Sequence, residues 1–199
     1  VSRDPQDFYT RRVPAQWNKT LDEQASGSVR DSMEAVTTTL RILVRGSAEE
    51  SFHLNITQGR MTADDDEAQP PFLTLAHNLD SFAALEEASG DSVLGFLGGL
   101  VGLQDSLKLT AGRMQNLASL EGTLRFALTG QGGFELFVHF GAGPVAEQAQ
   151  CSLEVAREAY DRLRTGEINP QEAFMNQQIA VEGDMQMAMQ LALAAMTPD

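Results

Sequence analysis

Residues 163–189 read L-R-T-G-E-I-N-P-Q-E-A-F-M-N-Q-Q-I-A-V-E-G-D-M-Q-M-A-M, and the way this run divides decides the fold. Asn169, Pro170 and Glu172 suit a helix N-cap, a first helical position and an acidic side chain at the third. The turn they start is expected to deliver Phe174 and Met175 inward. Ile179 and Val181 then alternate as a short strand, Gly183 breaks it, and Asp184 caps a last helix. On that helix Met185, Ala188, Met189, Ala192 and Met196 recur at spacings of three and four, while Met187, Leu191, Ala194 and Ala195 spread over other angles. Only Gln186 and Gln190 make a polar edge. A helix apolar nearly all round needs apolar neighbours on two sides, and the sheet supplies one.

Working outward, the chain alternates between helical and two-period segments. Phe8, Tyr9, Val13, Trp17 and Leu21 fall near one face of a helix over residues 4–24, with Pro14 starting a second short helix. Residues 22–31 read as a connector. Leu40, Ile42 and Val44 alternate with Arg41 and Arg45, and Phe52, Leu54 and Ile56 with His53, Asn55 and Thr57: two half-buried strands joined by a hairpin-sized loop. An acidic loop at 64–67 precedes a third strand, F-L-T-L-A, and a helix, S-F-A-A-L-E-E, that Asp80 caps. S-L-K-L-T at 106–110 reads as a fourth strand, before a short helix R-M-Q-N-L-A-S-L.

These elements recur in order. T-L-R-I-L-V-R-G at 39–46 returns as T-L-R-F-A-L-T-G at 123–130, and F-H-L-N-I returns as F-E-L-F-V. F-L-T-L-A is echoed by C-S-L-E-V, Phe82 by Tyr160, and L-T-A-G-R-M-Q by V-E-G-D-M-Q. Five matches in the same order point to an internal duplication. The division expected is 1–35 amino-terminal helices and connector, 36–120 a degenerate module and 121–199 a better preserved one.

The run from Leu163 to Met189 resembles the signature of the sterol carrier protein 2 (SCP2) family: a helix ending at Thr-Gly, a segment close to N-P-Q-x-A-F, a short strand, and G-(N/D)-M-x-x-A-M-x-L in a final helix. G-T-L-R-F-A-L-T-G and F-E-L-F-V-H-F sit where that family has its first two strands, so the resemblance covers roughly residues 122–196. Q-D-F-Y-T-R-R-V-P-A-Q-W-N is similar to the helix that often opens bacterial members. The resemblance implies an α+β fold, a five-stranded sheet with helices on one side, enclosing an apolar tunnel for sterols, fatty acids or acyl chains. The wall it implies takes Phe126, Leu136, Phe137 and Leu153 from the strands, and Tyr160, Leu163 and Ile168 from the following helix and turn. Phe174, Met175, Met185, Met189 and Met196 complete it, with Tyr160 or Gln178 as polar groups near the mouth. Leu97, Leu100 and Val101 are expected to cover the equivalent cavity of the first module.

From the residues alone, the methionines suit core packing better than a lipid wall, because apolar stripes are usually core; the resemblance reverses that order. If a sterol-sized ligand buried on the order of 400 Å2, transfer would contribute roughly 10 kcal/mol before ordering costs, enough for micromolar binding. The rival expectation is an interaction module whose Met-rich face packs on a partner or second subunit.

Composition narrows the classes. Across 199 residues, 28 acidic against 14 basic side chains give a net charge of −14, which argues against nucleic acid and against steady binding to anionic lipid surfaces. One cysteine, Cys151, makes no internal disulfide and fits a cytoplasmic setting. No signal peptide is read at the start, and V-L-G-F-L-G-G-L-V-G-L at 93–103 is about half a membrane span, so stable insertion is not expected and transient membrane contact is left open. His53, His77 and His139 lack ligand spacing, with His53 and His139 expected at solvent. Residues 64–67 lack a calcium-loop pattern, and G-Q-G-G-F at 130–134 joins two strands instead of entering a helix. No nucleophile elbow appears. The expectation is therefore a carrier, not an enzyme, with no catalytic residues, metal or cofactor, working by exchange of ligand through movement of the last helix.

Overall fold

The computed structural model describes residues 4–24, 26–89 and 108–195. Helix α1 (Pro5–Asp7), capped by Asp4, runs through a π-helical turn, Phe8–Arg12, into α2 (Val13–Glu23). Pro14 explains the wide turn. It lacks an N–H, and its ring would strike the carbonyl four residues back. With the Val13 N–H on the Phe8 carbonyl, the backbone widens and passes the proline without stopping. Part of the expected connector is helical, α3 (Ser28–Glu34).

Strands β1 (Thr38–Arg45) and β2 (Glu49–Thr57) form a hairpin in which Leu40 faces Leu54 and Ile42 faces Phe52. A tight turn returns the chain along β2 as β3 (Arg60–Asp64), a strand where the sequence suggests only the approach to a loop. Gly59 in that turn has φ +76°, and a Cβ there would stand 2.7 Å from the Met33 carbonyl oxygen, so glycine is required. β4 (Leu73–Asn78) runs parallel to β1, and a 3-10 turn, Leu79–Ser81, leads into α4 (Phe82–Ser89). The strand expected at 106–110 lies partly outside the described residues, and 108–110 is not a strand. α5 (Ala111–Leu117) begins at Thr110, whose hydroxyl accepts from the Arg113 N–H at 3.3 Å.

The second half repeats the pairing. β5 (Gly122–Thr129) and β6 (Phe134–Phe140) form a hairpin, and β7 (Cys151–Ala156) runs parallel to β5. Leu40 thus lies between Leu54 and Leu73, and Leu124 between Val138 and Cys151. After β7 come α6 (Arg157–Arg164), α7 (Pro170–Met175), β8 (Ile179–Gly183) and α8 (Met185–Ala195).

Among the described residues the strands make one eight-stranded sheet, ordered β3-β2-β1-β4-β6-β5-β7-β8, in place of a separate five-stranded sheet. The reason is the seam. β6 pairs antiparallel with β4, Leu73 opposite Phe140 and Leu75 opposite Val138, and so occupies the edge of β4 that corresponds to the one β8 takes on β7. Period-two alternation puts Leu40, Ile42, Leu75, Phe126, Leu136 and Val155 on one face, and a single apolar core runs across the seam. Helices pack on that face: α2 against β3, α4 against β6, α6 against β5 and β7, α8 against β7 and β8. The other face carries Arg41, Arg45, His53, Thr74, Arg125 and His139.

Candidate functional site

The apolar face of the second half, with the helices over it, holds part of the expected wall. Phe126 on β5, Leu136 on β6, Tyr160 and Leu163 on α6, and Ile168 in the following turn are buried together, with Leu153 on β7 half-buried beside them. α8 covers this wall from the β8 side through Met187, Leu191 and Ala194, spaced four and three apart and buried. That inner face was not singled out in the sequence, because an all-apolar helix offers no polar contrast to mark the side that meets the sheet.

The remaining wall residues lie elsewhere. Phe137 follows Leu136 in a strand, so its side chain points to the opposite face, where the Arg45 guanidinium sits 5.7 Å from its ring centroid. Phe174 and Met175 turn outward, 48% and 73% exposed, because Ala173 is the residue of α7 that faces the core. Met185 and Met189 are also outward, forming with Leu193 a stripe at four-residue spacing. Met196, Leu97, Leu100 and Val101 lie outside the described residues.

The turns around this region form as their residues dictate. The Asn169 side-chain oxygen accepts from the Glu172 N–H at 2.8 Å with Pro170 in the first turn, and Asp184 accepts from the Met187 N–H at 3.1 Å. Gly183 takes φ +85°, with the Gln150 carbonyl where a Cβ would stand. Tyr160 is not at a mouth: it is fully buried, and its hydroxyl donates to the Ala88 carbonyl at 3.3 Å, at the end of α4. Gln178 does carry an unmet group. Its side-chain carbonyl oxygen is buried, and no described group donates to it.

A second polar feature lies over the seam. His77 on β4 has Nδ1 3.0 Å from the Asn78 carbonyl, which can only accept, so Nδ1 carries the proton and Nε2 receives the Tyr9 hydroxyl at 2.7 Å. Burial holds the His77 imidazole below its ordinary pKa and, with the Glu86 carboxylate second, holds the Tyr9 phenol above its own. Beside this pair a crevice lined by Phe8, Tyr9, Leu75, Leu85, Ser89 and Leu136 has room for about one water molecule, not a lipid chain.

On the open face the histidines are half-buried instead of solvent-exposed, because loops fold over them. His139 Nδ1 lies 2.9 Å from the Thr123 hydroxyl, and His53 Nδ1 lies 2.9 Å from the Asp65 carbonyl. Burial, then the Arg41 charge, lowers the His139 pKa. Asp64 in the acidic loop is held to Asn55 and Thr62, whose hydrogen bonds lower its pKa. Among the described residues no group of three or more His, Cys, Asp or Glu side chains is placed to hold a metal ion. No described helix is long and apolar enough to cross a membrane.

Residues 103–195 match the model of the SCP-2 sterol transfer family, a segment just under half the chain that also takes in α5. No curated protein matches the chain. Among solved structures, sterol carrier protein 2 from Yarrowia lipolytica in its apo form is 19% identical, with 56% of this chain and 96% of that chain covered and a TM-score of 0.34. The UbiJ-SCP2 ubiquinone synthesis protein is 17% identical over 58% of this chain and 95% of its own, with a TM-score of 0.36. Sterol carrier protein 2 like 2 from Aedes aegypti is 13% identical over 41% and 91%, with a TM-score of 0.31.

Proposed function

We propose that this protein binds and carries an apolar lipid, a sterol, fatty acid or acyl chain, without covalent chemistry, and that the ligand lodges between α8 and the apolar face of β5, β6 and β7. The observation that carries this reading is α8 itself: within the segment matching a sterol transfer family, the helix that closes the apolar wall is apolar on both its faces. A helix held to the sheet by Met187, Leu191 and Ala194 can part from it while its flexible thioethers adapt to ligands of different outline. Lipid entry requires that movement. Phe126, Leu136, Leu153, Leu163 and Ile168 would then face the ligand, and the unmet Gln178 oxygen would accept from a ligand hydroxyl. Exchange by helix movement asks for no nucleophile, metal or cofactor, and we place it in the cytoplasm.

The chain is read further as two SCP2-like modules, 36–120 and 121–199, preceded by amino-terminal helices at 1–35. Support comes from the repeated pairing of β2-β1-β4 and β6-β5-β7 and from the sequence echoes between the halves.

The test is organic extraction of the purified protein followed by mass spectrometry of the extract, with titration of fluorescent fatty acids and sterols. A lipid in the extract and saturable uptake, weakened by Leu191→Asp or Gln178→Leu, is expected. An empty extract together with no saturable uptake overturns the proposal.

A further inference from the structure

The sheet is finished differently at its two edges. At β3 the outward N–H and C=O of Met61 are both met by the Asn18 side-chain amide of α2, at 2.9 Å each, and the Trp17 indole N–H donates to the Gly59 carbonyl at 2.8 Å. The turn end of that edge is therefore capped from within the chain. At β8 the Asp184 N–H donates to the Gln150 carbonyl at 2.8 Å, and Glu182 and Ala180 face Ser152 and Glu154. Backbone alternation then turns Ala180 and Glu182 toward β7 and turns the N–H and C=O groups of Ile179, Val181 and Gly183 outward. Among the described residues no group bonds these outward pairs. The strand, I-A-V-E-G, carries no lysine or proline to discourage pairing.

What surrounds this edge specifies an occupant. Both helices that touch β8 expose apolar side chains, Phe174 and Met175 on α7 and Met185 and Met189 on α8. The open face beside it carries Glu182 and Glu154, both exposed, and from residue 165 to 195 the sequence has no Lys, Arg or His. We propose that β8 accepts an extended segment of a protein partner as a ninth strand, one that alternates apolar and basic side chains. Its apolar set would meet the helix side and its basic set the acids of the open face, while its backbone bonds Ile179, Val181 and Gly183. A second copy fits less well. Antiparallel pairing of two β8 strands about Val181 brings two Glu182 carboxylates to diagonal positions between chains that each carry −14. The same acids repel an anionic membrane. This inference stands whether or not the protein carries a lipid.

The test is fluorescence anisotropy at low salt with a labelled peptide of about seven residues alternating valine and lysine, long enough to span β8. Saturable binding is expected, weakened at least about tenfold by Val181→Pro and by the pair Glu154→Lys and Glu182→Lys. Proline suits this position because the Val181 N–H faces away from β7, so the β7–β8 ladder keeps its bonds. Should the proline variant unfold, the wild type tested against a peptide N-methylated on its β8-facing residues decides, with the same loss expected. Undiminished affinity for the N-methylated peptide overturns the proposal. So does a concentration-dependent dimer of the protein, or a preference for phosphatidylserine vesicles over the peptide.

Discussion

The Tyr9 hydroxyl donates to His77 Nε2 across 2.7 Å in an otherwise apolar layer, with the Tyr9 ring tilted against Phe52 and the His77 ring stacked on Phe82. This contact ties the π-turn of the amino-terminal helix to β4. Tyr9→Phe leaves the Nε2 lone pair buried and unmet, and is expected to lower stability by about 1–3 kcal/mol in urea unfolding at neutral pH.

The same pair sets a pH dependence. Because burial depresses the folded His77 pKa below its ordinary 6.5, the unfolded chain takes up a proton that the folded chain refuses. Its contribution is complete above about pH 6.5 and is lost as pH falls through the lower folded value. Tyr9 works in the other direction. Its folded pKa lies above the ordinary 10.0, so its contribution is complete below about pH 10 and is lost as pH rises through the folded value. Urea midpoints of the wild type are expected to fall on acidification below about pH 6.5, and those of His77→Gln to fall less.

The two faces of α8 are expected to respond unequally to truncation. Met187→Ala opens a cavity against the sheet and should cost about 2–5 kcal/mol. Met189→Ala, on the outward stripe, should change stability by less than about 0.5 kcal/mol. Equal costs in urea unfolding would show that the outward stripe is also packed.

Asn18→Ala removes both bonds to the Met61 backbone and is expected to destabilise by about 1–3 kcal/mol. Hydrogen exchange gives a local readout. The Met61 amide should lose protection out of proportion to the global change, since water replaces the amide that screened it.

Cys151 is buried on β7 beneath α8, and burial, with the Asp184 charge second, raises its thiol pKa. It should resist a disulfide reagent until the protein unfolds, with a reaction rate that follows urea concentration. Fast reaction of the folded protein would mean that α8 opens readily, so the same measurement reports how tightly that helix is closed.

The hairpins could be read from the chain because period-two alternation is local. The same rule separates Leu136 from Phe137, although both were expected in one wall. Two other features were hidden for different reasons. On α8 the residues at every angle but one edge are alike, so the inner face is chosen by where β7 and β8 lie. On α7 Phe174 and Met175 look like core by chemistry, yet a six-residue helix buries one narrow line, and Ala173 holds it. The seam between β4 and β6 depends on contacts about 65 residues apart, which local pattern does not encode. Asn18 looks like an ordinary helix-surface residue until β3 is placed beside it.

The amide of Asn18 also limits what the molecule can build. Head-to-tail polymerisation needs two complementary ends on every unit, and here Asn18 and Trp17 block the turn end of the opposite edge from within the chain. Whatever joins at β8 therefore terminates the structure instead of extending it. Assemblies built on β8 are therefore expected to be finite.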